Sequence, residues 1–254
     1  MSTTVITVLL AGSLAAGWID AVVGGGGLIL LPLIMIMAPG LTNAQALGTN
    51  KLAAVFGTTS AAITLARRVP NALGALRWAP LALVGAAIGA LIAASVDQHI
   101  MRPIIIVVLV AVGFFVLLRP SFGRDSEPRI MSKRSWTAGA AIILAIGIYD
   151  GAFGPGTGLF FIMSLTALMR GDFMTSAAWA KVLNVATNLG ALIVFGLRGD
   201  VLWLLGLGLA VTNIIGARIG ARMVLGRGAG FVRIVILCVV VIMAGKLTYD
   251  QFFA

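Results

Sequence analysis

The sequence is poor in charged side chains and contains one cysteine and one histidine. Only 10% of its 254 residues are Asp, Glu, Lys or Arg, and 60% are hydrophobic, whereas soluble domains are about 25% charged. This shortage of charge excludes an ordinary soluble enzyme. Cys238 has no second cysteine for a disulfide or a thiolate metal site. His99 lies in a short polar turn, where we expect it to be solvated. We therefore expect no metal and no cofactor.

Apolar runs recur from one end of the chain to the other, and they predict an all-α polytopic membrane protein. The runs cover residues 5–23, 28–38, 44–66, 78–96, 101–119, 136–153, 158–169, 175–197, 201–221 and 230–249. The longer runs can cross a bilayer core of about 30 Å, but the two short ones, 28–38 and 158–169, reach only about 17 Å. No Lys or Arg precedes the first run, so we expect no cleaved signal peptide.

The two halves of the chain resemble each other. A shift of 130 positions aligns Gly17 with Gly147, Asp20 with Asp150, Gly24 with Gly154, Gly26 with Gly156 and Lys51 with Lys181. A shift of 131 aligns "GAAIGA" (85–90) with "GARIGA" (216–221). We interpret both hexapeptides as helix-packing patterns of small residues. The alignment predicts a first repeat at 1–119, a linker at 120–135 and a second repeat at 136–254.

The distribution of basic residues predicts that the two repeats are inverted. We attribute the net charge of +10 to basic residues in cytoplasmic loops, as the positive-inside rule describes, and not to nucleic-acid binding. Arginines crowd the 67–77 loop and the linker in the first half, but the later loop at 218–227 in the second half. Equivalent loops then face opposite sides, with both termini outside and the linker cytoplasmic. Each repeat would comprise a broken, re-entrant hairpin and three transmembrane helices.

Glycine-rich breaks interrupt the first hairpin of each repeat. They lie near 24–27 in "IDAVVGGGGLILLP" and near 154–158 in "YDGAFGPGTGLFFI". Each glycine costs about 1 kcal/mol within a helix, and a break at membrane depth is tolerated only inside protein or beside a wet cavity. The N–H groups at the starts of the short arms favour an anion. We expect them to come from Gly25, Gly26, Gly27, Gly156, Thr157 and Gly158.

Two lysines are expected to meet these breaks near the bilayer midplane. Lys51 and Lys181 would supply positive potential. Asn184 and Asn188 share a helix face with Lys181, and with Thr49 and Thr58 they would donate hydrogen bonds to an oxyanion. The two asparagines are alternatively interhelical contacts without a ligand role.

Asp20 and Asp150 each precede a lysine of the same half by 31 residues. We expect Asp20 to pair with Lys51, and Asp150 with Lys181. Such pairs would either brace the hairpins, as purely structural ion pairs, or carry coupling protons. The sequence leaves both roles open.

The motifs "GWIDAVVGGGGLILLPLI", "ALGTNKLAAVFGT" and "YDGAFGPGTG…AWAKVLNVATNLGAL" resemble those of the sulfite exporter TauE/SafE family. The matching positions are Asp20, Gly24 to Gly27, Gly48, Thr49, Asn50, Lys51, Asp150, Gly151, Gly154, Pro155, Gly156, Thr157, Lys181, Asn184 and Asn188. The resemblance spans both halves. It implies a permease of the bacterial inner membrane, which would make both termini periplasmic, and a sulfur oxyanion or organosulfonate as substrate. It also adds Asn50 to the expected substrate site.

These observations favour a secondary anion transporter that works by alternating access. A passive anion channel of the same fold is the alternative. No catalytic residues are expected, since the sequence has no metal-ligand cluster and its one histidine lies in a loop. The expected partners are the sulfur anion and membrane lipid, without nucleic acid. A coupling proton and a homo-oligomeric assembly are left open.

Overall fold

A computed structural model describes residues 1–96, 133–169 and 173–253, and that part of the chain is helical without strands. Its α-helices are α1 (Thr3–Val23), α2 (Gly27–Met37), α3 (Asn43–Ala66), α4 (Ala79–Ser95), α5 (Lys133–Ala152), α6 (Thr157–Met169), α7 (Phe173–Leu197) and α8 (Trp203–Phe253). A 3-10 helix at Ala72–Trp78 leads into α4.

The helices follow the apolar runs of the sequence to within about three residues at most ends, so the prediction of an all-α membrane protein is confirmed. The runs predicted at 201–221 and 230–249 are parts of α8, which is interrupted at Gly228 (φ 67°). The run predicted at 101–119, His99 and the linker up to residue 132 lie outside the described residues.

Within the described residues, four helical stretches are long and apolar enough to cross a membrane: Thr3–Val23, Ala72–Ser95, Phe173–Leu197 and Trp203–Gly228. Helix α3 is as long, at 24 residues, but it is more polar. Lys51, Asn50 and Thr49 lie on it and are buried. These buried polar residues make α3 an interior helix of the bundle.

Local signals in the sequence explain where the helices of the first hairpin begin and end. Ser2 caps the start of α1, and Gly24 ends α1 in the left-handed conformation (φ 86°). A capping box opens α3, in which Thr42 accepts from the Gln45 N–H and the Gln45 side chain accepts from the Thr42 N–H. Helix α2 therefore lies between a glycine break and a strong capping signal, and it stays short.

Small residues hold the outer helices together, as the sequence predicts. In the first hexapeptide, Gly85 and Gly89 lie against the backbone of α5 around Ile148. In the second, Gly216 and Gly220 lie against the backbone of α1 around Trp18. Both hexapeptides are thus helix contacts, the first between α4 and α5 and the second between α8 and α1.

Helices α3 and α7 pack against each other and run antiparallel. The start of α3 meets the end of α7, since Gly48 packs on Phe195, and the other ends meet around a cavity lined by Arg67 and Met174. Antiparallel packing of equivalent helices is what an inverted duplication requires. The packing supports the inverted repeat, which itself stays a prediction.

Candidate anion site between the two halves

The two glycine breaks touch each other. The N–H of Gly158, in the second half, donates to the carbonyl of Gly24, in the first half, at 3.1 Å. A Cβ on Gly27 would lie 3.6 Å from the Cα of Pro155. The predicted convergence of the two breaks is therefore present, and it is made by main-chain atoms.

Lys51 lies beside the second break, in a buried polar chain. Its Nζ is 2.8 Å from Oδ2 of Asp150 and donates to Oδ1 of Asn188 at 3.1 Å. The Nδ2 of Asn188 donates in turn to Oδ1 of Asn184 at 3.2 Å. This chain joins α3 to α5 and α7, and it orients both asparagines toward Lys51.

Lys181 lies beside the first break, on α7. Its Nζ is 3.6 Å from Oδ2 of Asp20 and also donates to the main-chain carbonyl of Asp20. The other carboxylate oxygen of Asp20 accepts from the N–H of Gly26 at 3.4 Å. Asp20 thus closes the gap between the first break and the lysine of the opposite half.

The pairing expected within each half is wrong. Lys51 pairs with Asp150 and Lys181 with Asp20, so both ion pairs cross between the halves. The physical reason is that α3 and α7 pack together at the centre, which directs each lysine toward the hairpin of the other half. An equal sequence separation of 31 residues identified equivalent residues, but it did not identify partners.

The two crossed pairs differ in their exposure to solvent. Lys51 and Asp150 are 1% and 2% exposed, whereas Asp20 is 14% exposed beside a Lys181 that is 1% exposed. The Asp20–Lys181 pair is therefore the more accessible one in this conformation. Buried ion pairs are strongly coupled, since removal of one partner leaves an uncompensated charge.

The hydroxyl groups of three residues assigned to the site bond to the protein itself. Thr49 accepts from the N–H of Leu202 at the start of α8 at 3.1 Å. Thr58 donates to the carbonyl of Ala54 within α3, and Thr157 donates to the carbonyl of Gly154 at 2.8 Å. In this conformation Thr49 and Thr157 stabilise a helix start and a turn, and Thr58 bonds within the middle of α3.

The expected row of free N–H groups is also reduced. The N–H of Gly26 is bonded to Asp20, and that of Gly158 to Gly24. The N–H of Thr157 donates to the carbonyl of Gly154 at 3.4 Å. Among the described residues, no acceptor is found for the N–H groups of Gly25, Gly27 and Gly156. The breaks therefore offer fewer donors than the sequence predicts, because the two halves satisfy each other.

Sequence reasoning missed two polar contacts that position the site. Tyr149 donates from its hydroxyl to the carbonyl of Pro155 at 2.6 Å, across the second break. Asn213, on α8, donates to the carbonyl of Ser13 on α1 at 3.0 Å, and both side chains are buried. Isolated polar residues within apolar runs are the signal that would have identified Ser13 and Asn213.

Replacement of Gly24 by alanine is expected to lower stability by about 3 kcal/mol. The left-handed φ is strained for alanine, and the added Cβ would overlap the backbone of Gly158 and Leu159. Thermal unfolding of the detergent-solubilised protein measures the loss. Gly40→Ala is the matched control, since a Cβ there meets no atom within 4 Å. Equal unfolding temperatures for the two variants would contradict the close approach of the breaks.

Comparison with known proteins adds a family match over nearly the whole chain. The family model described as "Sulfite exporter TauE/SafE" matches residues 9–247. No solved structure matches the chain.

Three relatives are similar over almost their full lengths. The probable membrane transporter protein YfcA of Escherichia coli K12 is 35% identical, over 99% of this chain and 92% of its own. The probable membrane transporter protein ORF9 of a Sinorhizobium species is 34% identical, over 95% and 92%. A probable membrane transporter protein of Haemophilus influenzae is 34% identical, over 97% and 95%.

Proposed function

This chain belongs to the sulfite exporter TauE/SafE family and is a multi-pass membrane transporter, and from that premise we propose that it moves a small sulfur-containing oxyanion by alternating access. The class of anion, sulfite or an organosulfonate, is supported by the family description. The bacterial inner membrane is the proposed location, with both termini periplasmic. The transport step itself involves no catalytic residue.

The observation that carries the proposal is the pair of buried lysines that meet at two touching glycine breaks. An ammonium group in a membrane interior is strongly disfavoured unless it is paired. Both lysines are paired with carboxylates, so the protein already holds two anionic groups in place. The proposed substrate is a third anion that competes for the same ammonium groups.

Asp20 supports this idea most directly, because its carboxylate contacts the groups that the sequence assigns to the substrate. One of its oxygens faces Lys181, and the other accepts the N–H of Gly26. A sulfur oxyanion has the same charge sign and a similar set of acceptor oxygens. We propose that the substrate displaces Asp20, or occupies its contacts when Asp20 takes up a proton.

The crossed pairing also links binding to movement of the halves. If one half moves against the other, the Lys51–Asp150 and Lys181–Asp20 contacts must lengthen, because each joins the two halves. An anion bound to a lysine replaces the electrostatic attraction between that lysine and its aspartate, which weakens as the two halves move apart. Binding would in this way lower the barrier between the two access states.

The experiment is uptake of radiolabelled sulfite into proteoliposomes with an imposed proton gradient. A coupled transporter accumulates sulfite above its equilibrium distribution, whereas a passive channel only equilibrates it. Arg198→Ala is a suitable control variant. Arg198 is an exposed residue on a turn between helices, where it pairs with Asp200 at 3.4 Å and donates to the carbonyl of Ala94 at 3.2 Å. Equilibration without accumulation would favour the channel, and no flux of sulfite or small sulfonates above empty liposomes would overturn the proposal.

A further inference from the structure

A large cavity lies between the end of α3 and the middle of α8, apart from the two lysines. Its volume is about 1050 Å³, and four arginines line it: Arg67, Arg68, Arg218 and Arg222. We propose that this cavity is a second oxyanion site, which takes up the transported anion before it reaches Lys181. The inference rests on the proposed function and assigns a loading step to one face of the protein.

The arginines of the cavity carry charge that no described carboxylate neutralises. All four are exposed. The ion pairs of the described residues use Lys51, Lys181 and Arg198, so within the described part of the chain the four guanidinium groups give the cavity a positive potential. Water-exposed guanidinium groups that converge on one cavity attract anions and bind oxyanions through paired N–H donors.

The floor of the cavity holds one of these arginines in place. The Nε of Arg218 donates to Oγ of Ser60 at 3.1 Å, and Ser60 is nearly buried. Ser60 lies about 10 Å along α3 from Arg67, so the cavity extends two helical turns inward. The bond uses Nε and leaves the terminal nitrogens of Arg218 for a ligand.

This floor lies level with the Lys181–Asp20 pair. Gly216 and Gly220 flank Arg218 on α8, and they pack against Trp18 and Ala21 of α1. Those two residues flank Asp20 in the sequence. An anion bound to Arg218 therefore lies at the same depth as the Lys181–Asp20 pair, which is the more exposed of the two lysine pairs.

The residues that correspond to this floor under the alignment of the two halves cannot form a second one. The residues aligned with Arg218 and Ser60 are Ala87 and Gly190, which can neither bind an anion nor hold an arginine. The cavity therefore breaks the symmetry between the halves. One face of the protein presents an arginine to the anion at this depth. The aligned position on the opposite face carries Ala87, which has no charge.

The test measures protection of a cysteine in the cavity by an unreactive oxyanion. In a Cys238→Ser background, Thr64→Cys places a single thiol on the cavity wall. Its labelling by a membrane-impermeant maleimide is followed with added sulfate, and with chloride at the same ionic strength. We expect sulfate to slow the labelling, and Arg218→Ala to raise the half-protecting concentration about tenfold, which corresponds to about 1.4 kcal/mol.

Arg227→Ala is the matched control. Arg227 lies on α8, outside the cavity lining, with its guanidinium 5.2 Å from the ring centroid of Phe231. We expect it to change protection less than twofold. Isothermal titration of sulfate into the parent protein and its Arg218→Ala variant repeats the comparison without an introduced thiol.

Three results would overturn the inference. The first is equal protection by sulfate and chloride, and the second is an equal effect of the Arg218 and Arg227 variants. The third is an effect of Arg218→Ala that appears only when the lipid contains phosphatidylglycerol. That result would make a lipid headgroup the occupant of the cavity. We expect the protection to persist in the Lys181→Ala/Asp20→Asn variant, which removes the neighbouring central pair. The loading site and the central site can thus fail separately.

Discussion

Sulfite flux is expected to fall to the level of empty liposomes when Lys51 or Lys181 is replaced by alanine together with its aspartate partner. The paired changes are Lys51→Ala with Asp150→Asn, and Lys181→Ala with Asp20→Asn. Each removes the ammonium group that attracts the anion without leaving a carboxylate buried alone. Proteoliposome uptake of radiolabelled sulfite measures the effect, and thermal unfolding in detergent checks that the protein folds.

The controls separate loss of the site from loss of the fold. Arg198→Ala removes one positive charge at an exposed turn and should leave sulfite flux within about twofold of the parent, because exposed ion pairs contribute about 0 to 1 kcal/mol. Normal flux by both lysine variants would refute the assignment of Lys51 and Lys181. Loss of flux with a normal unfolding temperature would support it.

The second large effect concerns stability. Asp150→Asn is expected to destabilise the protein by about 3 to 5 kcal/mol, since it leaves the ammonium group of Lys51 buried without its counter-charge. Asp20→Asn should cost less, because Asp20 is partly exposed and Lys181 keeps the main-chain carbonyl of residue 20. Chemical unfolding in detergent measures both losses.

A double-mutant cycle tests the crossed pairing itself. Lys51→Met should restore much of the stability that Asp150→Asn removes, because the pair is then replaced by uncharged groups. The same Lys51→Met change should not rescue Asp20→Asn. Rescue in the second combination, and not in the first, would mean that the pairs form within each half.

The sequence was sufficient to predict the helices, because the length of each apolar run and the positions of the glycines determine where a helix begins and ends. Gly24 ends α1 in the left-handed conformation because it has no Cβ. The convergence of the breaks followed from the duplication. These features depend on short windows or on one alignment, and both can be read without knowledge of the packing.

The partners of the lysines could not be read in this way. Whether Lys51 faces Asp20 or Asp150 depends on how α3 packs against α7. The rotation of α3 about its own axis in that packing cannot be deduced from the spacing of residues in the sequence. The same holds for Thr49, which the motif assigned to the ligand and which bonds to Leu202 at the start of α8. The arginine cavity was visible only as basic loops, since Arg218 and Arg67 meet through tertiary packing.

The crossed ion pairs also affect the order in which the helices can enter the membrane during synthesis. Asp150 follows Lys51 by 99 residues, which corresponds to roughly 5 to 20 seconds of translation. During that interval α3 carries an ammonium group whose counter-charge has not yet been made, so α3 gains little from entering lipid. We therefore expect α3 to stay near the translocon or at the bilayer surface until α5 is made. A chain that stops before Asp150 lacks the counter-charge of Lys51.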